Sequence, residues 1–230
     1  MAEEAIRLDE GGMGERESIA ESQIMEQLMD MMRNVADEYR ELLYMFKDLD
    51  EGKNVAVERR YKKIRSVKDS VEEAGIKLME YVIRVSPTLT FKDVYVTIIQ
   101  DLVRAAEHGE AAAYRNLLLS NKEFKRLPDT LYAILDAILR KLIEMVETNS
   151  EMLMKVSTNH KQVGELYLKL MKEENSVDEL YRESGLKTIR NYSNDVGTLI
   201  LIKELFDKLE DAADILKRVG TYIRYISLHR

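Results

Sequence analysis

Residues 176–187 read SVDELYRESGLK, and residues 66–77 read SVKDSVEEAGIK, 110 positions earlier. The same displacement, with no gap, sets Ile24, Met25, Leu28, Met29, Met32 and Val35 on Ile134, Leu135, Ile138, Leu139, Leu142 and Met145. It also sets Tyr95, Ile99 and Leu102 on Leu205, Leu209 and Ala212. One register over three apolar stripes marks a duplicated three-helix unit, in which each copy supplies partners for helices that cannot bury their apolar faces alone. Gly75 meets Gly185 in mid-helix, where a glycine costs about 1 kcal/mol and implies close backbone approach.

Working outward, the punctuation delimits six helices. Ser18 with Glu21 reads as a capping box before the first, and the loop DLDEGKN leads to Asn54 as cap of a second that runs to about Val85. Thr90 and Asp93 open a third that fades near Ser120, and LPDT starts a fourth that ends around STN. Asn159 with Gln162 caps the fifth, and Asp195 the sixth. The expected architecture is all-α: tandem three-helix bundles in one elongated six-helix protein. Residues 1–17 form an acidic, Gly-punctuated arm expected to be mobile, 18–120 the first repeat and 121–230 the second.

Composition agrees with that class. Hydrophobic residues make up 45% of the chain and charged residues 33%, and its two prolines stand at 87 and 128. The net charge of −7 disfavours a general nucleic-acid binder. The cluster Arg59, Arg60, Lys62, Lys63 and Arg65 reads as a solvated helix surface before it reads as a phosphate or anionic-lipid contact. The absence of cysteine rules out disulfides, thiolate zinc sites and iron–sulfur clusters. No apolar run reaches the roughly 18 residues of a membrane span, and the N-terminus does not resemble a targeting peptide. A cytoplasmic protein is expected, peripheral if it meets the membrane at all.

The repeats differ at four places. Glu174 occupies the apolar seam Val163, Tyr167, Leu170, Val177, Tyr181, where the first repeat has Ile64. Asp178 replaces Lys68, Glu210 replaces Gln100, and Asp214 replaces Arg104. Both acidic pairs are spaced i, i+4, so each projects from one side of its helix. If the fifth and sixth helices are antiparallel neighbours, the four carboxylates converge. Their charge is then met either by a lysine, Lys203 or Lys217, or by a cation with a taste for hard oxygen ligands. Asp207 and Asp211 read as solvent-side acids with no assigned role.

The stretches ENSVD (174–178) and EDAAD (210–214), set in a duplicated three-helix unit, resemble the Glu/Asp-x-x-x-Asp motif of PhoU, the phosphate-uptake regulator family. LEDAADILKRVGTYI resembles the stretch that closes a PhoU repeat, and the likeness extends over about residues 20–228, nearest to the branch associated with Pit-type phosphate permeases. The resemblance implies a regulator of phosphate transport that acts by protein contact beside a membrane phosphate transporter or its sensor. It implies iron, zinc or manganese on Glu174, Asp178, Glu210 and Asp214, in the second repeat only. Ile64, Lys68, Gln100 and Arg104 cannot form the corresponding site in the first repeat, and Asp211 and Ile215 stand where family members often have Arg and His.

Other readings are a metal-free helical adaptor, or a regulatory subunit of a cation channel. An enzyme is not expected: residues 105, 157 and 226, three before each histidine, are Ala, Ser and Ile, so the Glu-x-x-His pairs of di-metal bundles are absent. The three histidines read as exposed, near helix or chain ends. Met25, Met29 and Met32 read as core filler. Long exposed helices make a homodimer plausible.

Overall fold

A computed structural model describes residues 19–121 and 126–230. The expected arm at 1–17, and Ser18 of the expected capping box, lie outside the described residues. Six long helices account for most of the chain: α1 (Ile19–Asp50), α2 (Asn54–Val85), α3 (Lys92–Asn121), α4 (Asp129–Lys155), α5 (His160–Tyr192) and α6 (Val196–Leu228). A 3-10 turn at 86–88 carries Pro87, whose ring ends α2 and redirects the chain into α3.

The helix starts show local chemistry at work. Asn159 accepts the Gln162 amide at 3.0 Å, and Asp195 accepts the Thr198 amide at 3.0 Å, each satisfying an otherwise orphaned donor. Asn54 is not a cap. Lys53 holds that position without a side-chain bond, because the three-residue turn uses Gly52 at φ 71° and ties the Lys53 amide to the Asp48 carbonyl at 2.8 Å. The third helix begins at Lys92, two residues beyond Thr90.

Each repeat is a three-helix bundle, and the two are joined through α3 against α6 and α1 against α4. The four joining helices make one continuous core, with Tyr39, Phe46, Tyr95 and Phe206 its largest buried side chains. α2 and α5 lie on the outside of this four-helix centre, each packed against two helices of its own repeat. The duplication is visible in polar detail. Tyr39 donates from α1 to the Ala105 carbonyl of α3 at 2.8 Å, and Asn149, its counterpart at the 110-residue displacement, donates from α4 to the Leu216 carbonyl of α6 at 2.8 Å. Both contacts face a helical glycine, Gly109 or Gly220, where the absent Cβ lets the neighbouring helix close in. Gly75 likewise packs tightly, its missing Cβ 2.8 Å from Val103 Cγ2. Gly185 does not share that role: nothing lies within 4 Å of the place its Cβ would take.

Candidate functional site

α5 rests in the groove between α4 and α6, so successive α5 residues, 100° apart, face different neighbours. Glu174 turns to α6 and Glu173 to α4, and both are buried. Lys217 of α6 donates to Glu174 Oε1 at 2.7 Å, which makes Lys217, of the two candidate lysines, the counter-charge on the seam. Lys203 instead binds Asp207 at 2.7 Å. Glu173 was not singled out by its spacing. It takes a long 3.4 Å bond from Thr148 and a 3.4 Å ion pair from Lys169, and burial raises its carboxyl above the usual range.

The other three acids approach this pair without closing on it. Burial lifts the Glu210 carboxyl above its ordinary value, and Asp214, Asp211, Asp178 and Asp207 push it further. The Lys217 ammonium is held above the lysine range by its bond to Glu174, with Asp214 and Asp178 adding to it against the opposing cost of burial. Asp178 and Asp214 thus act on both Glu210 and Lys217, while Lys217 itself is bound to Glu174. Asp178 also lies 3.5 Å from Arg182. Among the described residues, no three His, Asp or Glu side chains are arranged to hold a metal ion. A metal would have to displace Lys217. One oxygen, Glu174 Oε2, is buried with no partner.

Among the side-chain contacts that join α3 to α6, which include Arg115 Nε to Glu204 Oε2 at 3.2 Å, two are related by the duplication. Arg218 donates to both oxygens of the buried Asp101, from Nε at 2.7 Å and Nη2 at 2.5 Å. His108 Nδ1 lies 3.4 Å from Asp211 Oδ2. The 110-residue displacement carries Asp101 onto Asp211 and His108 onto Arg218, so these are the same contact made twice, once in each direction. Asp211 also takes Lys208 at 2.7 Å and is no idle solvent-side acid; Asp207 likewise takes the Tyr181 hydroxyl at 2.8 Å. His108, expected near a helix end and exposed, sits within α3 with 22% of its side chain accessible, because α6 covers it. Burial pulls its pKa below the ordinary histidine value; Asp211 opposes this, and Lys208 and Arg104 add to it. Of the other two, His160 opens α5 with Nδ1 2.9 Å from Ser227 Oγ, and His229 caps α6.

Glu38 is a further buried acid that spacing did not reveal. It is 0% exposed, and one of its oxygens fills the space beside Gly109. Burial raises its carboxyl well above the usual range, Glu110 adds to the shift, and Lys68 opposes it.

No protein-family model and no curated protein matches the chain. Solved structures do. PhoU from Pseudomonas aeruginosa matches with a TM-score of 0.76, over 92% of this chain and 98% of that one, at 14% identity. The chain has the PhoU fold. A PhoU-like protein from Shewanella oneidensis matches with a TM-score of 0.71, over 90% and 100% of the two chains, at 13% identity. The phosphate transport system regulatory protein PhoU from Streptococcus pneumoniae matches with a TM-score of 0.66, over 91% and 95%, at 13% identity. The correspondence runs over nearly all of each chain, both repeats included, and identity this low restricts the likeness to fold. Among the described residues, no helix is long and apolar enough to cross a membrane.

Proposed function

We propose that this protein regulates phosphate transport by contact with a membrane phosphate transporter or its sensor. The observation that carries the reading is the full-length match to P. aeruginosa PhoU, over 92% of one chain and 98% of the other. The name of the S. pneumoniae structure, a phosphate transport system regulatory protein, points the same way. A helical bundle with its charges largely paired at the surface suits a protein that conveys state by docking. A Pit-type permease is the first partner to test. Tagged protein is co-purified from native membranes with that permease, and radiolabelled phosphate uptake is compared with and without the chain. Co-purification together with altered uptake supports the reading; unchanged uptake and no transporter in the eluate overturn it.

The metal-free form of this reading is favoured by the Lys217–Glu174 pair, which already supplies the missing positive charge. The metal-dependent form remains a second proposal, supported by the partnerless Glu174 Oε2 and by the acids crowding Glu210. In that form Lys217 swings out, and Glu174, Asp178, Glu210 and Asp214 offer oxygen ligands to iron, zinc or manganese. Elemental analysis of chelator-free protein, wild type beside Glu174→Ile/Asp214→Ala, separates the two. Metal bound by the wild type and lost by the double variant supports the metal-dependent form, and none in either removes it.

A further inference from the structure

The two repeats pack differently beside their paired glycines. In the first repeat the space beside Gly75 is taken by Val103, and Leu78, one turn on, is buried. Their counterparts in the second repeat, Gly185 and Thr188, face a cavity of about 160 Å³ between α5 and α6. Tyr181, Ile189, Leu199 and Phe206 form the apolar part of its wall, and Arg182, Ser184 and Lys203 complete it. Thr188 is 3% exposed, yet its hydroxyl has no hydrogen-bond partner. A threonine in a helix ordinarily satisfies itself on the carbonyl four residues back, and a buried hydroxyl left without a partner destabilises the fold. At the same end of the hairpin Leu186, Val196 and Ile200 are exposed, which extends the apolar surface beyond the cavity.

We propose that this cavity is a binding site for a small amphipathic molecule. The ligand has one compact apolar body, the size of a phenyl ring or a branched five-carbon chain, and one hydroxyl or carbonyl that meets Thr188. An enclosed apolar void of roughly 150 Å³ takes up benzene; this cavity has a similar volume and opens to solvent beside the exposed Ile189, with Arg182 and Lys203 in its wall, so one ring fits its apolar part. The hydroxyl distinguishes the site from a packing defect: Leu at 188, as at 78 in the first repeat, would fill the space and leave no polar atom unsatisfied. The inference is independent of the phosphate-transport reading and stands or falls without it.

The test is a phenol titration of the full chain followed by methyl NMR of Thr188, Ile189 and Leu199, with toluene and glycerol alongside. Saturable shifts of these methyls with phenol, and none with glycerol, are expected. Thr188→Leu, which copies the first repeat, weakens phenol binding by about tenfold or more because it occupies the volume, with an unchanged or higher Tm. Thr188→Val keeps the volume and removes the hydroxyl, so it weakens phenol about fivefold and leaves toluene unaffected. The Val variant decides the matter if the Leu variant does not fold. Unsaturable or absent shifts in the wild type, or equal phenol binding by wild type and both variants, overturn the proposal.

Discussion

Two of the cross-repeat contacts between α3 and α6 occupy equivalent positions and have opposite characters. Asp101 is buried and gripped by both arms of the Arg218 guanidinium, a cation that stays charged at any physiological pH. Its twin, Asp211, is 41% exposed, shares itself with Lys208, and faces His108, whose charge depends on pH. One half of the joint is held by a permanent cation, and the other is built on a side chain that can titrate. The same asymmetry runs through the chain: Ile64 against Glu174, Leu78 against Thr188, a filled place beside Gly75 against an open one beside Gly185. The repeats share a scaffold, and each buries polar groups that the other lacks, Glu38 in the first and Glu174 in the second.

Removing the permanent half should have the largest effect. Arg218→Ala strands Asp101 in the core, and breaking a buried pair typically costs about 3–5 kcal/mol. The lower end is expected, because Arg104 lies 3.9 Å from Asp101 and is free to turn towards it. Urea unfolding reads the loss, and a change under about 1 kcal/mol would mean that the pair is cosmetic. Gly220→Ala comes next. Its Cβ would lie 2.2 Å from Leu170 Cδ2 and 2.8 Å from Asn149 Oδ1, so these two buried side chains must repack, at about 1–3 kcal/mol. Gly185→Ala, with open space around it, should be neutral or slightly stabilising through its helix propensity. Equal losses at the two glycines would erase the contrast between a closed and an open seam.

The sequence made the helices and their duplication legible, because apolar spacing and capping residues are local information. It also located Glu174 and offered Lys217 as its partner. What it hid depends on which helix covers which. Asp101 stands in IIQDLVR and Glu38 in ADEYRE, where charges read as solvated faces until α6 buries the first and the bare backbone of Gly109 makes room for the second. The 110-residue displacement that revealed the repeat also sets Asp101 on Asp211 and His108 on Arg218, and that coincidence was the available signal for the joint. It misled at Gly185, since a shared glycine does not guarantee a shared contact once the facing side chains have changed.

The responsive half sharpens the comparison through pH. A histidine whose folded pKa lies below its unfolded value binds protons more readily when the chain is unfolded, so the fold loses stability as pH falls through the ordinary histidine range near ~6.5 and below. Thermal melts between pH 7.5 and 5.5 should show a modest fall. His108→Arg, which copies Arg218, should remove the histidine part of that fall and leave the rest. A variant with the wild-type slope would show that His108 does not sense protons in this joint. Glu38 contributes with the opposite sign: its raised pKa makes the fold lose stability as pH rises above the usual carboxylate range, so Glu38→Gln should flatten the profile on the alkaline side.

The smallest effect is expected where the repeats differ most visibly. Glu174→Ile restores the residue of the first repeat and frees Lys217, 35% exposed, to reach water. Replacing a buried ion pair by a well-packed apolar side chain is often neutral or stabilising, so stability should stay within about 1 kcal/mol of wild type. Lys217→Ala reverses the logic, since it leaves Glu174 buried without its cation and should cost more than Glu174→Ile. If the ordering is the other way round, Lys217 is not what neutralises Glu174. The place of a cation on the seam would then be open, and the metal-dependent form of the function would gain the ground that the lysine now holds.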